Sequence, residues 1–115
     1  GEPIPVFNNG DMKRDFTYID DIISGTKAAI ERNYNCKVFN LGNHRSEQLL
    51  DVVSLIEKNL DQKAEIEFLP MQPGDVTESF ADIEESVKKL KFQPTTNIDN
   101  GVMNFIKWYK EFYQC

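Results

Sequence analysis

The spacing of hydrophobic residues along this chain predicts helices that alternate with short strands. Three stretches carry apolar side chains at helical spacing, on one face of each predicted helix. These positions are Ile19, Ile22, Ile23, Ala29 and Ile30, then Leu49, Val52, Val53, Ile56 and Leu60, then Val102, Phe105, Tyr109 and Phe112. A shorter helix carries Ile83, Val87 and Leu90, and Asp82 with Glu85 has the spacing of a capping box for it. We therefore expect about four helices.

Three short segments, the first of them followed by a return strand, have the pattern of strands. Residues 5–8 form the first, and Asn9 with Gly10 predicts a hairpin turn and a return strand over 12–18. Residues 37–41 form the second, and Ser46 is expected to cap the helix that follows it. Residues 64–68 alternate apolar and charged side chains, as in a half-buried strand. A loop with proline and glycine follows over 69–80. The pattern predicts an α/β chain, or α+β if it folds without further sheet.

The length of 115 residues corresponds to about one domain, spanning 1–115. A net charge of −6 makes duplex nucleic acid and anionic membranes poor partners, because both attract clustered positive charge. No apolar run approaches the roughly 20 residues of a membrane span. Two cysteines are too few for a disulfide scaffold, so we expect a cytoplasmic protein. Because the sequence begins with Gly1, we expect it to be processed or cut from a longer chain.

The residues needed for a complete catalyst are absent from this sequence. With one histidine, His44, no metal-ligand cluster of the usual spacing forms. The six glycines are too far apart for a dinucleotide-binding turn, and no Tyr-x-x-x-Lys pair occurs. Asp20 and Asp21 are adjacent carboxylates, but the start of a helix explains them. We expect no catalytic, cofactor-binding or metal-binding residue in this chain.

Four motifs in order carry a resemblance over essentially all of the chain. They read GDMKRDFTYIDD at 10–21, VFNLGN at 38–43, MQPGDV at 71–76 followed by ADI at 81–83, and WY at 108–109. With this spacing the chain resembles the C-terminal, substrate-binding part of extended short-chain dehydrogenase/reductase nucleotide-sugar enzymes. The UDP-glucuronate 4-epimerase branch is the most similar.

The resemblance implies a function that this chain would share with a preceding N-terminal Rossmann half. In such enzymes that half binds NAD and carries the catalytic Ser/Thr, Tyr and Lys, and the sugar is epimerised at C4 through a 4-keto intermediate. The chain would bind a UDP-sugar, either UDP-glucuronate or UDP-galacturonate, and would be inactive alone. The strand at 38–41 would join the edge of the large Rossmann sheet. Separated from it, the chain is expected to form a homodimer, to self-associate otherwise, to repack, or to be only marginally stable.

The resemblance also implies a set of substrate-binding residues. Pro5 and Phe7 would lie against the uracil, with the strand backbone supplying polar contacts. Arg14 would hold the diphosphate, for which a guanidinium has suitable geometry and charge. Gln72 stands where many relatives have a second phosphate-binding arginine, and it brings no charge. Ser79 completes the set, in a segment that departs from the family pattern.

Three alternatives remain open at this stage. A nucleotide-sugar 4,6-dehydratase or a decarboxylase of the same superfamily would share this part of the chain. The chain would otherwise be a binding module with affinity for UDP-sugars by itself. A third possibility is a non-catalytic module that only dimerises. Titration with a UDP-sugar separates the last two, because only a binding module produces heat.

Overall fold

Four helices and four short strands make up residues 2–115, the part of the chain that the computed structural model describes. The helices are α1 (Ile19–Arg32), α2 (Leu49–Leu60), α3 (Glu84–Leu90) and α4 (Ile98–Tyr113). The strands are β1 (Ile4–Val6), β2 (Lys13–Arg14), β3 (Glu47–Gln48) and β4 (Ile66–Phe68). A 3₁₀ turn, Phe7–Gly10, follows β1. The four predicted helices and the α+β class are therefore confirmed.

The predicted caps of two helices are wrong. The residue before α2 is Gln48, which makes no capping bond, whereas the Ser46 hydroxyl donates to the Ser79 carbonyl oxygen. The residue before α3 is Ile83, so the predicted capping box is shifted, and Asp82 accepts a bond from the Glu84 N–H instead. Both caps were predicted from local spacing, which places a helix boundary only to within about one or two residues.

The predicted hairpin between 5–8 and 12–18 does not form. Strand β1 pairs with β4 in parallel, and β2 pairs with β3 in antiparallel orientation. Asn9 and Gly10 do have positive φ, as the turn signal indicates, but Asn9 donates to the Leu69 carbonyl oxygen. The pairing is decided by burial, since Val6 and Met12 are both in the interior. The turn therefore separates two strands that belong to different sheets.

The segment 37–41 lies outside any helix or strand of the described residues, so the predicted strand is wrong there. Phe39 and Leu41 pack against a buried cluster formed by Ile83, Leu90 and Phe92. Val38 points away from it and is 84% exposed. A strand needs a neighbouring strand for its backbone groups, and no strand within residues 2–115 pairs with this segment. Its pairing with a Rossmann sheet stays a prediction.

Two apolar clusters hold the helices together. The first joins α2 to α4 through Val52, Val102 and Ile106, with Phe16 packed against them. The second is the cluster beneath Phe39, which joins α3 to α1. The two small sheets are formed by β1 with β4 and by β2 with β3.

No helix in the described part of the chain has the length and apolar character needed to cross a membrane.

Candidate functional site

Arg14 ends the short strand β2, and its guanidinium is half-buried. One terminal nitrogen donates to the Asp75 carboxylate at 2.8 Å, and the other donates to the Lys13 carbonyl oxygen, also at 2.8 Å. Asp11 and Asp15 are closer in the sequence, but the carboxylate that pairs with Arg14 lies 61 positions away. Arg14 is thus fixed by the loop over 69–80.

That loop is a tight turn where it meets Arg14. The Asp75 N–H donates to the Gln72 carbonyl oxygen at 3.2 Å, and Gly74 between them has a φ of +83°. The Asp75 carboxylate also accepts a bond of 2.7 Å from the Val76 N–H. Asp75 therefore orders the loop. Gln72 is exposed on the same turn, which places it in the loop that holds Arg14.

The end of the loop is attached to the backbone of β2. The Lys13 N–H donates to the Thr77 carbonyl oxygen at 2.8 Å, and the Ser79 N–H donates to the Lys13 carbonyl oxygen at 3.2 Å. Above this backbone ladder the side chains of Lys13 and Glu78 form an ion pair of 4.0 Å. Ser79 is consequently an exposed neighbour of the strand that carries Arg14.

Pro5 and Phe7 flank the buried Val6 at the end of β1. In a parallel ladder, alternate residues bond to the neighbouring strand and the residues between them face the other way. The Val6 carbonyl oxygen accepts a bond of 2.9 Å from the Leu69 N–H, so it faces β4. The Pro5 carbonyl and the Phe7 N–H therefore point away from β4, at the edge of this sheet. Phe7 is half-buried and Pro5 is exposed.

One loop thus links all five substrate-binding residues predicted from the sequence. It begins at Leu69 beside β1, turns at Gln72 to Asp75 against Arg14, and ends at Ser79 beside β2. The backbone bonds of Leu69 and the ion pair of Arg14 are the two connections that gather them. The ion pair of Arg14 with Asp75 connects the polar turn of this loop to β2.

Asp15 is a structural residue that the sequence analysis did not identify. Its carboxylate accepts backbone bonds from Asn43 at 2.8 Å, from His44 at 3.0 Å and from Ala81 at 3.0 Å. It ties the end of the loop to the segment after Leu41. The sequence shows an aspartate directly after Arg14. It does not show which groups bond to that aspartate, because the three N–H donors come from 28 to 66 positions away.

Asp21 is another carboxylate that accepts long-range bonds from backbone N–H groups. It is 5% exposed and accepts bonds from the Thr95 N–H and hydroxyl and from the Thr96 N–H. Burial raises the pKa of Asp21, but the bonds from Thr95 and Thr96 outweigh it, so the pKa is lowered overall. A helix start alone, as inferred from the sequence, accounts for only part of this residue's role.

A separate cavity lies elsewhere in the described residues. It has a volume of about 710 Å³ and is mostly apolar, between the start of α1 and helices α2 and α4. Its lining includes Phe16, Ile98, Phe105 and Trp108, and none of the five predicted substrate-binding residues. Within residues 2–115, no group of three or more His, Cys, Asp or Glu side chains is arranged to hold a metal ion.

Comparison with known proteins decides the family. A family model described as GDP-mannose 4,6 dehydratase matches residues 1–105. The chain belongs to this family. The match covers the first three of the four motifs and ends before WY at 108–109, and the resemblance is confirmed at the level of the family.

Individual members of the family show how much of a whole protein this chain represents. An uncharacterised protein of Methanocaldococcus jannaschii is 43% identical over 96% of this chain and 34% of its own length. UDP-glucuronate 4-epimerase 4 of Arabidopsis thaliana is 34% identical over 98% of this chain and 30% of its own length. The chain therefore spans about a third of the length of the curated relatives it matches.

A solved structure within the family confirms the fold. It is UDP-glucuronic acid 4-epimerase from Bacillus cereus in complex with UDP-glucuronic acid and NAD, which is 35% identical with a TM-score of 0.84. The match covers 97% of this chain and 36% of that one. The architecture is that of the C-terminal part of short-chain dehydrogenase/reductase epimerases.

Proposed function

We propose that residues 1–115 form the nucleotide-sugar-binding domain of an NAD-dependent UDP-sugar 4-epimerase, with UDP-glucuronate and UDP-galacturonate as its substrate pair. The observation that carries the proposal is the loop that gathers Arg14, Gln72 and Ser79 next to the free edge of β1. The relatives of Arabidopsis thaliana and Bacillus cereus, both named for UDP-glucuronate or its acid, support the choice of substrate.

Each part of the site has a chemical counterpart in a UDP-sugar. The Pro5 carbonyl and the Phe7 N–H present one acceptor and one donor in a row, which suits the polar edge of a uracil, and the Phe7 ring adds apolar surface. Arg14 supplies a planar set of donors for the diphosphate. The side-chain amide of Gln72 can donate hydrogen bonds to the diphosphate but carries no charge. The Ser79 hydroxyl can donate from the opposite end of the loop. Anchoring the nucleotide here would hold the sugar in place for a reaction that occurs beside it.

The cofactor does not fit within this chain. A dinucleotide needs closely spaced glycines at the start of a helix, and the glycines here lie at 1, 10, 25, 42, 74 and 101. We propose that NAD and the catalytic side chains belong to an N-terminal Rossmann half of the whole protein. The structure of the Bacillus cereus relative contains NAD, which supports this division. Alone, the chain would bind nucleotide sugar and be inactive.

Calorimetric titration with UDP-glucuronate tests the binding proposal. Arg14→Ala should weaken binding by about tenfold or more, since a charge-assisted bond to phosphate is lost. Arg32→Ala is the matched control, because Arg32 is an exposed arginine in the last turn of α1. Heat that the Arg14 substitution leaves unchanged would refute the role of Arg14. No heat from the unmodified chain would refute nucleotide binding by this domain alone.

A 4,6-dehydratase is the second candidate, because the matching family model carries that description. The two candidates differ in the nucleotide base that the edge of β1 would bind, which is uracil for the UDP-sugar epimerase and guanine for the GDP-sugar dehydratase. A preference for UDP over GDP in the same titration favours the UDP-sugar epimerase. A preference for GDP would favour a GDP-sugar dehydratase and would overturn our assignment of the substrate.

We also propose that the isolated chain self-associates in the cytoplasm. Ile23, Ile30 and Val38 are exposed to 56%, 73% and 84%, which leaves large apolar surface facing water. A homodimer, or docking on the Rossmann half in the whole protein, would cover it. The described cysteines, Cys36 and Cys115, are both free thiols, as is usual in a reducing compartment.

A further inference from the structure

The Arg14 guanidinium is only partly used by its contacts within the chain. A guanidinium has five N–H donors, and the contacts to Asp75 and to the Lys13 carbonyl oxygen engage one each, leaving three. Because one bond is made by each terminal nitrogen, the plane of the group is fixed as well as its position. The side chain is 28% exposed, so the remaining donors have access to a ligand.

Asp75 is itself held in place before any ligand arrives. The carboxylate oxygen that meets Arg14 also accepts the Val76 N–H at 2.7 Å, and the Asp75 N–H bonds to the Gln72 carbonyl oxygen. The following residues are attached to β2 through the two backbone bonds of Lys13. The loop and the strand therefore form one unit, in which the carboxylate has little freedom to follow Arg14.

This arrangement suggests a role for Asp75 that differs from simple charge balance. If the ion pair only neutralised Arg14, it would compete with an incoming diphosphate, and removing the carboxylate would strengthen anion binding. If the carboxylate aims the guanidinium, its removal would free a flexible arginine that must then be ordered by the ligand, which weakens binding. The two effects have opposite signs.

We infer that Asp75 is a positioning residue, which orients Arg14 so that its remaining N–H donors meet the diphosphate of the nucleotide. The inference rests on the proposed nucleotide-sugar binding and deepens it. The double anchoring of the guanidinium and the rigid attachment of the loop carry it. Asp75 acts through Arg14 and needs no contact with the ligand.

The test compares binding of UDP and uridine by NMR titration of the 115-residue chain, with Asp75→Asn as the variant. The substitution keeps the shape of the side chain and removes its charge. We expect UDP affinity to fall about two- to tenfold, the range expected when one flexible side chain must be immobilised on binding. Uridine affinity should stay unchanged, because uridine has no phosphate for Arg14 to bind.

Glu78→Gln is the matched control. It removes the same charge from the same loop, and Glu78 pairs with Lys13 at 4.0 Å, next to the pair of interest. Glu78→Gln should leave UDP affinity unchanged or raise it slightly, since a negative charge near the phosphates is lost. Asp75→Glu, which keeps the carboxylate, should recover part of the loss.

Three results would overturn the inference. Stronger UDP binding by Asp75→Asn would show that the ion pair competes with the ligand. An equal loss for UDP and uridine would show a general disturbance of the fold. An unchanged UDP affinity would show that Arg14 needs no positioning. Absence of UDP binding by the unmodified chain is a different result, since it refutes nucleotide binding by this domain alone and the inference with it.

Discussion

The Asp21 carboxylate in the first turn of α1 accepts a hydrogen bond of 3.0 Å from the backbone N–H of Thr96, which lies just before α4. The same carboxylate accepts two further bonds from Thr95. These bonds connect two helices that belong to different apolar clusters. Asp21 is therefore expected to contribute to the stability of the whole chain rather than to α1 alone.

Replacing Asp21 by alanine should lower the free energy of unfolding by about 2–3 kcal/mol, because the Thr95 and Thr96 N–H groups lose a charged acceptor. Asp20→Ala is the control, since Asp20 shares the first turn but is exposed. It should cost about 0.3–1 kcal/mol, from the helix dipole alone. Urea unfolding followed by circular dichroism measures both. Equal losses for the two variants would contradict the role assigned to the long-range bonds.

The lowered pKa of Asp21 predicts a specific dependence of stability on pH. Because the folded chain binds this proton less readily than the unfolded one, the contribution of Asp21 is present above its ordinary pKa of 3.8. It is lost as the pH falls through the lower pKa of the folded state. The difference in unfolding free energy between the natural chain and Asp21→Asn should be constant near neutral pH and should shrink below 3.8. A difference that grows on acidification would have the wrong sign.

Gly42 is predicted to tolerate no side chain. A Cβ there would overlap the Cβ of Ala81 and would lie 2.9 Å from a carboxylate oxygen of Asp15. Gly42→Ala should therefore destabilise the chain by about 1–3 kcal/mol. Gly101→Ala, within α4, is the control: its nearest neighbour would be at 3.6 Å, and alanine should stabilise the helix by up to about 1 kcal/mol. Equal effects of the two substitutions on the thermal midpoint would argue against close packing at Gly42.

Self-association predicts that the sedimentation coefficient rises with protein concentration. Val38→Ser should reduce this rise, since Val38 lies in the segment 37–41, which forms no strand, and its side chain is 84% exposed. Met103→Ser, on the exposed face of α4, is the comparison, because it removes similar apolar surface far from that segment in the sequence. A sedimentation coefficient independent of concentration would refute self-association of the isolated chain. Equal effects of the two variants would refute the role of Val38.

The helices were predictable because their signal is local. Apolar residues at three- and four-residue spacing predict α1, α2 and α4, and all three helices form. Only part of each predicted apolar face is buried: Val52 and Val102 lie in the interior, whereas Ile30 and Phe112 are 73% and 64% exposed. The conformation of the turn at Asn9 and Gly10 was predictable for the same reason, since these residues tolerate positive φ. The candidate residues of the site were found through motifs, and one loop connects them as a group.

The strand pairings and the ion pair of Arg14 were not predictable from local pattern. Strand β1 has its partner about 60 residues away in β4, and Arg14 meets a carboxylate on a distant loop rather than one of its neighbours. The hydrogen bonds of Asp15 and Asp21 were not predictable for the same reason, because the N–H donors come from segments that are close only in the folded chain.

The sequence by itself determined where the helices form, the residues able to adopt left-handed turns and the family to which the chain belongs. Each of these depends on neighbours within a few positions or on motifs that can be compared directly. The tertiary structure decided which strands pair, which carboxylate holds Arg14 and which backbone groups Asp15 and Asp21 satisfy. Burial of Val6 and Met12, together with the need of buried polar groups for partners, selected these contacts among many that local preference allowed.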